Sequence, residues 1–202
     1  MKTTFKVIML AAVVSFSMAC KKDRSDSGTP EADSKQMQAI VTTTSNNLKN
    51  ISFTKDPDVD FLLVLKTQQQ GVIDLANLEL KSGTDSYLKN KAKEILAKNE
   101  LLITQVVAYL KANPAQANDL KFDAMLLLNK TTPITQADLS GKIDLDFATL
   151  MLGLHQAGVD ITKLELAYGR RETILAMANK ILPQHQAEVQ ELKAWLIANQ
   201  NK

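Results

Sequence analysis

Asp58-Val59-Asp60-Phe61-Leu62-Leu63-Val64-Leu65-Lys66-Thr67-Gln68-Gln69-Gln70 and Asp144-Leu145-Asp146-Phe147-Ala148-Thr149-Leu150-Met151-Leu152-Gly153-Leu154-His155-Gln156 stand 86 positions apart in one chain. They open two stretches, Asp58–Leu110 and Asp144–Leu196, that pair without a gap. About fourteen of about 53 positions are identical, which marks a duplication. The pairs include Asp74 with Asp160, Leu78-Glu79-Leu80 with Leu164-Glu165-Leu166, Gly83 with Gly169, and Ile95-Leu96 with Ile181-Leu182.

Each copy reads as helix, turn, helix. Phe147, Met151, Leu154, Gly158, Ile161 and Glu165 recur at three- and four-residue steps, and Ile174, Ala178, Ile181, His185, Glu188, Leu192 and Trp195 do so again. Gly83 and Gly169 stand where a helix end calls for a residue tolerant of positive φ. Pro183 is expected to interrupt the last helix and kink it locally. One hairpin cannot bury its own apolar stripe, so two should close face to face into an all-α four-helix bundle. The connection, residues 111–143, is long enough to run the length of the bundle as a crossover. Its apolar stretch Phe122 to Leu128 predicts one short helix. The domain is expected to span residues 36–202, with copy one at about 58–110 and copy two at about 144–196.

Ahead of it, Lys2 and Lys6 precede an apolar run from Val7 to Phe16, then Ser17-Met18-Ala19-Cys20. This order is that of a signal peptide over residues 1–19 with lipidation at Cys20. Residues 20–35, rich in charge, Ser, Gly and Pro, read as a flexible tether. Met37, Ile40, Val41 and Leu48 suggest a short helix or a strap on the domain. Cys20 is the only cysteine, so no disulfide and no thiolate site is available. Without Lys2 and Lys6 the basic and acidic residues are equal in number, which argues against a nucleic-acid partner and against any membrane contact beyond the lipid.

No phosphate loop, nucleophile elbow, paired-cysteine knuckle or zinc-protease helix is present. The chemistry left is that of two histidines. His155 lies about fifteen residues before the turn near Arg170 and His185 about fifteen after it. At about 1.5 Å per residue, antiparallel helices bring both to one height. Met151 and Glu188 fall on adjoining turns, so Met151, His155, His185 and Glu188 form a candidate metal set. Imidazole with thioether suits copper; two imidazoles with a carboxylate suit zinc or iron. Core histidines and a core methionine are the competing reading. The first copy has Gln69 and Asn99 opposite the histidines, poor ligands for either metal. Asp74, Glu79, Asp160 and Glu165 read as ion-paired or solvated positions, and Arg170-Arg171 as a solvated tip.

Asp146-Phe147, Met151, His155-Gln156, Gly169, Ile181, Glu188, Leu192 and Trp195-Leu196 give the chain its likeness to a known group: it resembles, in both copies, domain-of-unknown-function family 305, ferritin-like bundles of secreted bacterial proteins, some of which bind copper. The resemblance implies a ferritin-like bundle and, through Met151 and His155, copper. The family's paired histidines correspond here to Gln68-Gln69 and Leu154-His155, its later methionine to Leu192, and His185 stands where the family has glutamine.

The reading is therefore a non-enzymatic cell-envelope protein, lipid-anchored and facing the periplasm or the surface, that binds a transition metal, copper before zinc. The alternative is an interaction or scaffold module on the same bundle, its partner an envelope protein or a second copy of itself.

Overall fold

The structure, a computed structural model, describes residues 30–116, 122–131 and 139–199. Six helices follow in order: α1 (Pro30–Lys49), α2 (Pro57–Ser82), α3 (Ser86–Ala112), α4 (Met125–Thr131), α5 (Ile143–Tyr168) and α6 (Glu172–Asn199), with no strand among the described residues. The expected signal peptide, Cys20 and the expected tether up to residue 29 lie outside the described residues. The chain is an all-α bundle of two hairpins, α2/α3 and α5/α6, with α2 packed on α5 and α1 against both. The connection carries α4, over the apolar stretch that predicts it. No helix among the described residues is long and apolar enough to cross a membrane.

Local chemistry sets the helix starts. Asp56 caps α2, accepting from Val59 N–H at 3.3 Å, with Pro57 at the first helical position. Asp85 caps α3 through Leu88 N–H at 2.9 Å. The duplication reaches further upstream than the sequence pairing. Asp60 accepts from Thr54 N–H, Thr54 Oγ1 and Lys55 N–H, and Asp146 from Ser140 N–H, Ser140 Oγ and Gly141 N–H. The residue after each hydroxyl, Lys55 at φ 64° or Gly141 at φ 79°, is left-handed. Each loop thus wraps its backbone donors around an aspartate two turns away in sequence.

Three sequence expectations need correction. Residues 30–35 belong to α1 rather than to a tether: Pro30 pre-sets the first turn, and Asp33 and Ser34 are buried, Ser34 Oγ donating to Asp146. Gly83 and Gly169 have φ of −62° and −60°, so their backbone needs no glycine. A Cβ on either would come within 2.2 or 2.3 Å of Glu79 or Glu165 Oε1, and close approach is the reason for the residue. Pro183 does not interrupt α6, which continues through it; both Pro183 and residue Asn179, whose carbonyl loses its partner, are exposed, so water can satisfy it.

Two apolar clusters fill the bundle. Met37, Val41, Val72, Leu75, Ile95, Phe147, Met151, Leu154 and Leu192 form one, and Leu48, Phe61, Leu65, Val106, Leu127, Ile161, Ile174 and Ile181 the other. The repeat exchanges them, since Phe61 pairs with Phe147, Leu75 with Ile161, Ile95 with Ile181 and Val106 with Leu192. Between the clusters, at mid-height, lies a buried polar layer of Gln68, Gln69, Asn99, His155, His185 and Glu188.

Candidate metal centre

Each of the four long helices sends a polar side chain into this layer. Gln68 Nε2 donates to Leu154 C=O at 2.7 Å, fixing α2 on α5, and Asn99 Nδ2 donates back to Ile95 C=O at 2.8 Å. His155 on α5 and His185 on α6 face each other with ring centroids 5.3 Å apart, as their equal distance from the turn requires. His155 Nδ1 lies 3.1 Å from Glu188 Oε2. One ligand atom each from His155, His185 and Glu188 lies within 4.8 Å of the others. Met151, the fourth sequence candidate, is fully buried in the first apolar cluster.

The imidazoles are held neutral. Burial, then the charges of His185, Lys98 and Lys91, push His155 well below the ordinary histidine range. Burial pushes His185 down to about 4. Glu188 is raised by burial against the opposing pull of Lys98 and Lys91. Neither nitrogen of the neutral His155 has a hydrogen-bond partner in the protein, although Nδ1 lies 3.1 Å from Glu188 Oε2, so the ring's lone pair is left without a donor. An orphaned buried acceptor of this kind is expensive in a core.

The His185 ring rests on the backbone of α5. A Cβ at Gly158 would sit 2.3 Å from His185 Nδ1 and 2.6 Å from Cε1. The first copy has Val72 and Asn99 at these two positions, so the larger ring and the missing side chain differ together between copies. Gln69, set aside as a poor ligand in the sequence reading, reaches across the layer, its Nε2 3.3 Å from His185 Nε2. The residues present fit a metal ion: two neutral imidazoles and a carboxylate in a buried cradle shaped for them. Beside the centre, a groove of about 200 Å³ runs between α3 and α6, lined among others by Lys98, Leu102, Lys180, Gln184, His185 and Glu188.

The duplicated acids do something else. Glu79 and Glu165 are 0 % and 2 % exposed, neither solvated nor ion-paired. Each lies against an aspartate of the other copy, Glu79 with Asp144 and Glu165 with Asp58. Asp144 also accepts from Thr84 and Asp85 N–H, and Asp58 from Arg170 and Arg171 N–H. The Arg171 guanidinium pairs with Asp56 at 2.5 Å, so this turn is a docking point rather than a solvated tip. Burial first, then Asp144 or Asp58, raises Glu79 to about 8 and Glu165 to about 9. Asp144 goes the other way: the donors of Asp85 and Thr84 outweigh its burial and lower it. The alignment of the copies contains both partners of each pair, but nothing along one helix says that they meet.

No curated protein matches the chain. Among solved structures, "CopM in the Cu(I)-bound form" is similar at 21% identity and TM-score 0.54, over 73% of this chain and 98% of that one. That likeness supports the all-α bundle fold. The family model for a domain of unknown function, DUF305, matches residues 111–196. The match takes in the connection and the second copy, the half that holds His155, His185 and Glu188, and there the chain is similar to the DUF305 family.

Proposed function

We propose that this chain is a non-enzymatic metal-binding protein of the bacterial cell envelope, tethered by a lipid on Cys20, and that His155, His185 and Glu188 hold one transition-metal ion. The observation that carries this reading is the buried cluster itself, three donors within 4.8 Å including an imidazole nitrogen with no partner in the protein. Ligation needs unprotonated imidazole, and burial keeps both rings in that form. Copper is the favoured ion, because the similar solved structure is described as Cu(I)-bound and because Met151 stands one turn before His155. Zinc is second, since two imidazoles and a carboxylate also suit it.

The test is competition of the purified protein against a chelator for Cu(I), Cu(II) and Zn(II), beside a His155→Ala, His185→Ala double variant. Binding of one ion, tighter than about micromolar and lost in the variant, is the expected result. Failure to bind, or binding that the variant retains, overturns the metal reading and leaves the interaction module. Mass spectrometry of the peptide carrying Cys20 from membrane fractions tests the anchor, and an unmodified cysteine sinks it.

A further inference from the structure

One lysine reaches the candidate centre from the groove that His185 and Glu188 help to line. Lys98 extends from α3, and its Nζ lies 3.7 Å from Glu188 Oε1, while Oε2 of the same carboxylate faces His155. The two oxygens are thus divided between an imidazole of the centre and an ammonium outside it. Glu188 is 7% exposed and Lys98 50%, so the lysine comes in from the groove and has room to return there. Lys91, two turns earlier on the same face of α3, is 12% exposed and held by Glu191 at 2.5 Å and Glu94 at 3.1 Å; it is fixed where Lys98 is not.

The duplication supplies a second, independent observation. Lys98 corresponds to Gln184, and Glu188 to Leu102. Across the same groove, therefore, the copy with a carboxylate is met by an ammonium, and the copy with a leucine is met by a neutral amide. All four residues line the groove. A lysine placed for helix surface alone would have no reason to follow the carboxylate.

We propose that Lys98 is a latch on the metal centre: in the metal-free protein its ammonium neutralises Glu188, and an incoming cation displaces it into the α3–α6 groove, which is the ion's way in. This rests on the metal reading above and adds its control. Ammonium and metal ion compete for one buried carboxylate, so the latch keeps Glu188 charged and paired while the centre waits, at the expense of affinity. A partly exposed ion pair is weak enough to open.

The experiment measures Zn(II) and Cu(II) affinity and association rate for the wild type and for Lys98→Gln, Lys98→Arg and Lys180→Gln. Lys98→Gln copies the other half of the repeat. Lys98→Arg keeps the charge at Glu188. Lys180→Gln removes the same charge from the same groove. The latch requires Lys98→Gln to bind about three- to tenfold tighter, from the loss of a competing pair, and to associate faster, with the other two within about twofold of wild type. Equal or weaker binding by Lys98→Gln overturns it and makes Lys98 a support for Glu188. An equal gain in Lys180→Gln also overturns it, in favour of groove charge in general. Absence of binding in all four proteins removes the latch together with the metal reading, a result distinct from either.

Discussion

Replacing Glu79 and Glu165 together by glutamine tests the carboxyl pairs that dock each copy's turn on the other. In the folded chain these groups keep their protons up to about 8 and about 9, whereas in the unfolded chain they lose them near 4.5. Between those limits the native state binds more protons than the unfolded state. Stability therefore falls as pH rises, by about 1.36 kcal/mol per pH unit for each proton kept. From about pH 5.5 to about pH 8 this reaches about 3 kcal/mol per glutamate at full coupling. Glutamine is the right replacement because its amide still donates to Asp144 or Asp58 and never ionises.

The histidines of the centre pull the other way. Their folded values are depressed, so the stability they contribute is present above about 6.5 and is lost as pH falls below it, when unfolded imidazoles take up protons that the buried rings refuse. The wild type should accordingly depend less steeply on pH between about pH 5 and 6.5 than above. Asp60 and Glu188, also raised by burial, act equally in wild type and variant. The difference between the two proteins isolates the pairs. Urea unfolding at about pH 5.5 and about pH 8 should show the double variant gaining on the wild type by at least about 3 kcal/mol between the two conditions. Parallel pH profiles would refute the reasoning, and a variant that loses ground at high pH would mean that both glutamates are ionised and useful in the fold.

Two further substitutions separate close packing from backbone strain. Gly158→Ala places a methyl 2.3 Å from His185 Nδ1, so a loss of about 1–3 kcal/mol is expected, along with metal affinity. The first copy's pair, Gly158→Val with His185→Asn, should recover much of the stability but none of the binding, and additive losses in thermal melts would contradict the coupling. Gly141→Ala meets no atom within 4 Å yet sits at φ 79°, so its expected loss of about 1 kcal/mol is purely conformational. Lys55→Gly at the matching position should be neutral to stabilising, and a large loss there by chemical denaturation would show that the lysine side chain, not the backbone, matters.

The alignment of the two copies made the hairpins legible, and the fixed rise of a helix made His155 and His185 legible as neighbours, because both follow from periodicity within one element or across one turn. What escaped was tertiary. The spacing of Asp74 to Glu79 describes one helix, whereas Glu79 finds its partner, Asp144, at the start of the other copy. Gln69 looked inert because ligand strength was judged within its own copy, but it faces the other copy's His185. Lys98 gives no signal alone; only reading Lys98 and Gln184 beside Leu102 and Glu188 exposes it. α1 is hard to see because Thr and Asn interrupt its apolar face, and its start is set by Pro30 and by the buried Ser34 contact with Asp146.

The bundle's near-symmetry also accounts for there being one cluster of donors rather than two among the described residues. The pairs at the ends, Glu79 with Asp144 and Glu165 with Asp58, are far apart and can both be kept. The mid-height layer is different, because the two halves meet there: His155 and His185 lie 5.3 Å apart and Gln69 is 3.3 Å from His185. A fully symmetric layer would crowd four imidazoles and two carboxylates into one buried stratum, where unpaired polar groups and like charges are most costly. Gln69 and Asn99 resolve this as neutral side chains, one beside His185 and the other bonded to its own helix, and Leu102 removes the second carboxylate. The first copy's loss of ligands is thus what allows the second copy's to remain buried, and the asymmetry is a property of the site rather than its decay.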